Sequence, residues 1–73
     1  MDSQFDQLRQ VLARNVRARR KELGFSQEQL AFEADIDRTY ISQIERSLIN
    51  PSLLVLHRLA LALKMSVPPL LDD

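Results

Sequence analysis

The chain has 73 residues, no cysteine and a single histidine, and its ten basic and ten acidic side chains cancel to zero net charge. A chain this short buries only roughly 60 to 65% of the surface that its unfolded form exposes, which limits it to one domain, 1–73, with a small core. Without cysteine there is no disulfide framework and no Cys/His metal set, so helix packing, alone or with a partner chain, has to supply the stability, and a reducing cytoplasm fits.

Abundant Leu, Ala, Glu, Gln and Arg, and the lack of any window alternating between apolar and polar, predict an all-α chain of five helices. Ser3 is placed to cap the first helix. Phe5, Leu8, Leu12, Val16 and Leu23 then recur at helical spacing until Gly24, the only glycine, closes it in a left-handed cap. The charge along this helix is polarised: Arg9, Arg14, Arg17, Arg19, Arg20 and Lys21 follow one another with no anion between, whereas Asp2, Asp6, Asp72 and Asp73 lie at the chain ends. For any one of these cations, a solvated helix face is the simpler account.

Ser26 and Gln29 form a capping-box pattern opening a second helix whose inner stripe is Leu30, Ala31 and Ala34. The following "ADID" reads as a tight turn in which Asp35 tolerates positive φ and Asp37 caps a third helix, Arg38 to about Arg46. "SLINP" is loop, Ser52 caps a fourth helix from Leu53 to Leu63, and Ser66 precedes a last turn, "VPPLL", whose prolines suit a first helical turn. The longest apolar runs, Leu53 to Leu56 and Leu59 to Leu63, fall far short of the ~20 residues of a membrane helix, and no signal-peptide pattern opens the chain. A soluble, cytoplasmic protein with no membrane partner is expected.

Three residues separate the second and third helices, which forces them to cross steeply and to touch near the turn, where Ala31 and Ala34 are small enough to allow it. Ile36, Ile41 and Ile44 can lock this pair onto Leu30, Val16 and the fourth helix. At 100° per residue, Arg38, Thr39, Ser42, Gln43 and Arg46 then collect on one side of the third helix and Ile41, Ile44 and Glu45 on the other. A helix-turn-helix presents its second helix to the DNA major groove, N-terminal residues first. Arg38 can give two hydrogen bonds to guanine, Gln43 can pair bidentately with adenine, and Thr39 and Ser42 reach bases where the helix lies deep. Tyr40, at the edge of that face, suits a phosphate through its hydroxyl. Taken alone, the same side chains would pass for an ordinary helix surface.

The stretch from Leu23 to Leu71, with "SQEQLA", "RTYISQIER" and "NPSL", resembles the Cro/phage-repressor (XRE-type) helix-turn-helix family, and within it the controller proteins of restriction-modification systems. The resemblance implies a compact five-helix lambda-repressor-like DNA-binding domain with its helix-turn-helix at about 27–46. It also implies a homodimer whose recognition helices enter successive major grooves of a near-palindromic operator, about 34 Å apart. Gln27 matches the family's phosphate-binding glutamine. Arg38, Thr39, Ser42 and Gln43 match its base-reading positions, and Arg46, Ser47 and Asn50 the stretch that grips phosphates after the third helix. Arg17 is the cation of the first helix expected on a phosphate. Arg20 and Glu45 match a pair bridging the first and third helices beneath the DNA surface. Asp35 stands where the family turn usually has glycine, and Lys64 replaces the glycine common after the fourth helix.

Leu54 and Leu61, where the family is usually polar, with Ile49, Val67 and Leu70 nearby, are expected to form a dimer seam within about 49–71. Scattered surface leucines would be the bland alternative. His57 has no companions spaced for a metal. No nucleophile with a base, no glycine-rich phosphate loop and no metal set is present, so neither an enzyme, a cofactor nor a small-molecule ligand is expected. The second reading is an antitoxin-type protein that binds its own promoter and holds a toxin with the excess leucines; a pure protein-interaction module is the third. A role in activation would add contact with RNA polymerase, whereas repression needs only occupancy of a promoter. With no sensor segment in the chain, control is expected through its own concentration.

Overall fold

The computed structural model describes residues 3–73, so Asp2, one of the terminal anions, lies outside the described residues. Five helices form there: α1 (Ser3–Glu22), α2 (Gln27–Ala34), α3 (Arg38–Glu45), α4 (Leu53–Ala62) and α5 (Val67–Leu70). Ser3, expected ahead of the first helix, is its first residue, a one-residue difference at a fraying end. The other caps follow the residue types. Ser26 Oγ accepts from the Gln29 amide at 3.0 Å, Asp37 Oδ1 from the Thr39 amide at 2.7 Å, and Ser52 Oγ from the Val55 amide at 3.1 Å. Each supplies an acceptor to an amide that has no partner inside its own helix.

The C-terminal ends share one geometry. Gly24, Asp35, Ser47 and Lys64 all have positive φ, at 75°, 55°, 58° and 59°. The next residue in each case, Phe25, Ile36, Leu48 or Met65, donates its amide to a carbonyl five residues back at 2.9 to 3.0 Å. This is the Schellman closure, in which the residue after the left-handed position is usually apolar and folds back onto the helix. Phe25, Ile36 and Met65 do so, packing against the core. Leu48 differs and remains 53% exposed. At Lys64 the backbone therefore keeps the glycine-like conformation although the glycine is gone, and Ser47 adopts it with no sequence warning.

Val16, Leu30, Ile41, Ile44, Leu59, Leu63 and Leu70 are fully buried and make up the centre of the core, each contributing about 1.5 to 3 kcal/mol by its removal from water. Ala13, Ala31, Ala34 and Ala60 are buried among them, and their small side chains let α1 approach α3, and α2 approach α3 and α4. Two expectations are corrected here. Phe5 and Leu8, placed on the inner stripe of the first helix by periodicity, are 38% and 42% exposed. They border a shallow groove with Pro51, Leu56 and Leu71, which leaves this end of α1 partly open. Leu70, expected at a dimer seam, is core instead, because α5 folds back against α1 and α4. Asn15 Nδ2 pins that turn, donating to the carbonyls of Leu70 at 3.0 Å and Asp72 at 2.8 Å.

A left-handed L-residue costs about 1 to 2 kcal/mol, of which the extra chain entropy of glycine returns roughly half. Lys64→Gly should accordingly raise the unfolding free energy by about 0.5 to 1 kcal/mol, and Gly24→Ala should lower it by a similar amount, both read from urea midpoints. The space beside Gly24 is open, so any loss there is backbone strain alone.

Candidate nucleic-acid interface

The two sides of α3 have different surroundings. Ile41, Ile44 and Glu45 are buried, Arg38, Thr39 and Arg46 are exposed, and Ser42 and Gln43 are half-buried. Tyr40 is half-buried with its side chain against the core, which anchors one edge of the outward face. An eight-residue helix is marginal by itself in water. Its outward side chains are held in register by what lies beneath them.

Beneath them is a buried carboxylate. Glu45 is 3% exposed. Arg20 meets it side-on with two hydrogen bonds, Nε to Oε2 at 2.7 Å and Nη2 to Oε1 at 2.9 Å, while Arg20 Nη1 donates to the Phe25 carbonyl at 2.9 Å. Gln27 Nε2 donates to the same Oε1 at 3.2 Å, and Arg17 Nε lies 3.6 Å from it. Burial by itself pushes the Glu45 carboxyl up. The hydrogen bonds from Arg20 and Gln27 and the charges of Arg20 and Arg17 outweigh it and hold the group below its ordinary range.

Most of the cationic run on α1 is engaged within the molecule. Arg17 Nη2 donates to the Glu45 carbonyl at 2.6 Å and Arg9 Nη1 to the Ser47 carbonyl at 3.2 Å, both at the C-terminal end of α3. Arg19 Nε donates to the Leu63 carbonyl at the end of α4, at 2.9 Å. Arg9 also pairs with Asp6 at 2.6 Å and lies over the Phe5 ring, and Arg14 pairs with Asp73 at 3.1 Å. A solvated face therefore does not describe this run. The last carbonyls of a helix lack intrahelical partners and carry its negative dipole end, where a guanidinium is doubly favoured. Arg9, Arg19 and Asn15 were missed in this role; for Arg9 alone the helical spacing hinted at burial, since Arg9, Ala13, Val16 and Arg20 fall within about 60° of one another on the helix, but not at its acceptor.

Of the remaining sequence-derived site residues, Gln27 is half-buried at the first position of α2, with one amide N–H engaged by Glu45. Arg46 is the exposed residue at which α3 ends, Ser47 carries the positive φ that follows, and Asn50 is exposed at the rim of the groove beside Phe5 and Leu8. Arg17 is about half exposed, and its two contacts are to Glu45. Leu54 and Leu61 are 56% and 64% exposed, joined by Leu53 at 75%, while Ile49 and Val67 are half-buried. Among the described residues, no cluster of three His, Cys, Asp or Glu side chains is placed to hold a metal, and no helix is long and apolar enough to cross a membrane.

An exposed polar face on the second helix of a tight helical pair, carried on a core of aliphatic residues, defines a helix-turn-helix DNA-binding domain. The helix-turn-helix family profile matches residues 16–70, and the chain belongs to this XRE-type family of DNA-binding transcription regulators, which are not enzymes. It is 46% identical to the control protein C.SmaI of Serratia marcescens over 67 residues, which cover 92% of this chain and 80% of that protein. The restriction-modification controller protein C.AhdI of Aeromonas hydrophila has the same fold, with a TM-score of 0.82 at 35% identity, covering 85% of this chain and 94% of that one. The regulator SinR, solved in complex with DNA, superimposes with a TM-score of 0.80 at 39% identity, covering 84% and 98% of the two chains. Against the full-length SinR of Bacillus subtilis, this chain spans 58% of the relative.

Removing one partner of a buried pair leaves an uncompensated charge, so Arg20→Met should lower the unfolding free energy by about 3 to 5 kcal/mol, measured by urea titration. The pH dependence has a definite sign. Because the folded-state value of Glu45 lies below its unfolded value of about 4.3, its contribution is complete above that pH and disappears as the pH falls through the folded value. Between about pH 5 and pH 3 the wild type should lose more stability than Glu45→Gln does.

Proposed function

We propose that the chain acts in the cytoplasm as a homodimeric, sequence-specific regulator that binds a near-palindromic operator with α3 in the major groove. The observation that carries this reading is the split of α3 between a buried Ile41, Ile44 and Glu45 side and an outward Arg38, Thr39, Ser42, Gln43 and Arg46 side. In this reading Arg38 and Gln43 take bidentate base contacts, and Thr39 and Ser42 take the neighbouring edges. Gln27, Tyr40, Arg46, Ser47 and Asn50 hold the phosphates on either side. SinR, a relative of the same fold, has been solved with DNA, which supports the assignment.

Engagement of the α1 arginines in internal carbonyls narrows the electrostatics. Arg38 and Arg46 are then the cations of each protomer that meet phosphates or bases, with Arg17 able to add a third from its free N–H groups. Binding should weaken with salt at a slope of roughly −0.9 per neutralised phosphate, so a dimer presenting two or three cations per protomer gives a slope near −4 to −5. The dimer seam is assigned to Leu54 and Leu61 on α4, with Leu53, Ile49 and Val67 around them. The area these leucines leave exposed supports a self-complementary patch of this kind.

An antitoxin role would use those leucines on a foreign chain, and activation would add contact with RNA polymerase; neither is favoured by a separate feature. Three measurements check the main reading. Mixed-sequence duplex should be bound at low salt with the slope given above; no binding at any salt would leave only the protein-interaction reading. Arg38→Ala should relax preference at one base pair by about 1 to 3 kcal/mol in a library selection. Leu61→Glu should sediment as a monomer and bind operator poorly, whereas an unchanged dimer moves the seam elsewhere and a wild type that is itself monomeric removes the homodimer.

A further inference from the structure

Glu45 does more than close an ion pair. Its Oε1 is approached by donors from two other helices, Arg20 Nη2 at 2.9 Å from α1 and Gln27 Nε2 at 3.2 Å from α2, while Glu45 is itself the last residue of α3. One oxygen atom therefore joins the C-terminal end of the reading helix to the first residue of the helix that precedes it. The Glu45 side chain is 1% exposed, so no part of it can reach a nucleic acid. Gln27 is half-buried and sits at the open N-terminal end of α2, where the first amides lack intrahelical partners. A glutamine Nε2 carries two hydrogens, and with one donated to Glu45 the other remains for a phosphate oxygen. Glutamine has three rotatable side-chain bonds, and holding them before binding removes most of the ordering cost on binding.

We propose that Glu45 is a positioning residue for phosphate binding: its buried carboxylate holds the Gln27 amide at the open end of α2 and so fixes where the DNA backbone sits relative to the outward face of α3. The proposal rests on the DNA-binding reading above. It makes the phosphate grip and the base-reading face one rigid unit, with Arg20 as the counter-charge that allows a carboxylate to occupy that place. It also separates two functions of the pair, since the hydrophobic core needs the pair only to be neutral overall, while Gln27 needs an acceptor at Oε1.

That separation supplies the test. A buried ion pair can be exchanged for apolar side chains of similar size with little loss of stability, so Arg20→Met combined with Glu45→Met removes the acceptor while keeping the fold. Affinity for a fluorescent mixed-sequence duplex is measured for the wild type, for Gln27→Ala, for the methionine pair and for all three changes together. Gln27→Ala and the methionine pair should each weaken binding roughly tenfold, and the triple variant should also be about tenfold weaker, because both routes remove the same contact. A methionine pair that binds like wild type, or a triple variant weaker by the product of the two losses, overturns the proposal. Base preference in a library selection should be the same for the wild type and Gln27→Ala, which leaves the Arg20–Glu45 contacts of α3 in place. The wild-type chain gives an independent readout should the methionine pair not fold: one proton of the Gln27 side-chain amide should exchange with solvent more slowly than the side-chain amides of the exposed glutamines, Gln7, Gln10 and Gln29, whereas exchange as fast as theirs sinks the idea. Failure of the wild type to bind duplex at low salt removes the DNA-binding reading instead.

Discussion

The organising interaction in this molecule is the donation of α1 side chains to the carbonyl ends of the other helices. Arg17 and Arg9 close the end of α3 through the Glu45 and Ser47 carbonyls, Arg19 the end of α4 through Leu63, and Asn15 the end of α5 through Leu70. Helix ends are where a small all-α protein is most exposed to fraying, because the last four carbonyls of each helix have no intrahelical partner. Guanidinium groups also oppose the negative end of each dipole. A chain with neutral net charge thus places its one dense cationic run where it binds the protein itself. The cationic surface left over is smaller than the run suggests.

Glu45 is the counterpart of that arrangement. Burying a carboxylate is expensive, and a pair in this position is a weak source of net stability even with two good hydrogen bonds. What the pair secures is geometry. With Arg20, Gln27 and Arg17 all directed to one residue, α1, α2 and α3 meet at fixed angles, and a slip of α3 along its axis would break four contacts together. The aliphatic layer of Leu30, Ile41 and Ile44 supplies the free energy but is tolerant of small shifts; the polar layer is not. In the function proposed above, recognition of base edges needs a helix fixed to well under one residue of rise, about 1.5 Å, and the polar layer would provide that.

Short connections have a similar role. The left-handed closures at Asp35 and Ser47 turn the chain at once after α2 and after α3, so neither helix ends in a loose segment. Asp and Ser tolerate this conformation poorly compared with glycine, and their use here shows that the packing of the following apolar residue, Ile36 above all, over-determines the backbone. Leu48 is the exception. It occupies the same position but stays 53% exposed.

Much of this architecture can be read from residue order, because helix limits are local. Ser26, Asp37 and Ser52 cap amides two or three residues ahead, Gly24 and Asp35 close helices within five, and the 100° spacing of Ile41, Ile44 and Glu45 sorts α3 into an inner and an outer side. The family was readable too, since the three-residue turn and the flanking motifs lie close together in the chain. Tertiary structure alone decided the rest. Periodicity gives a residue a side of its helix but not a neighbour, so Phe5 and Leu8 looked like core and lie at an open groove, and Leu70 looked like surface and is buried by the return of α5 against α1. The arginines of α1 were visible as charges, yet their acceptors are main-chain carbonyls 28 to 44 residues away, a relation that no local spacing encodes.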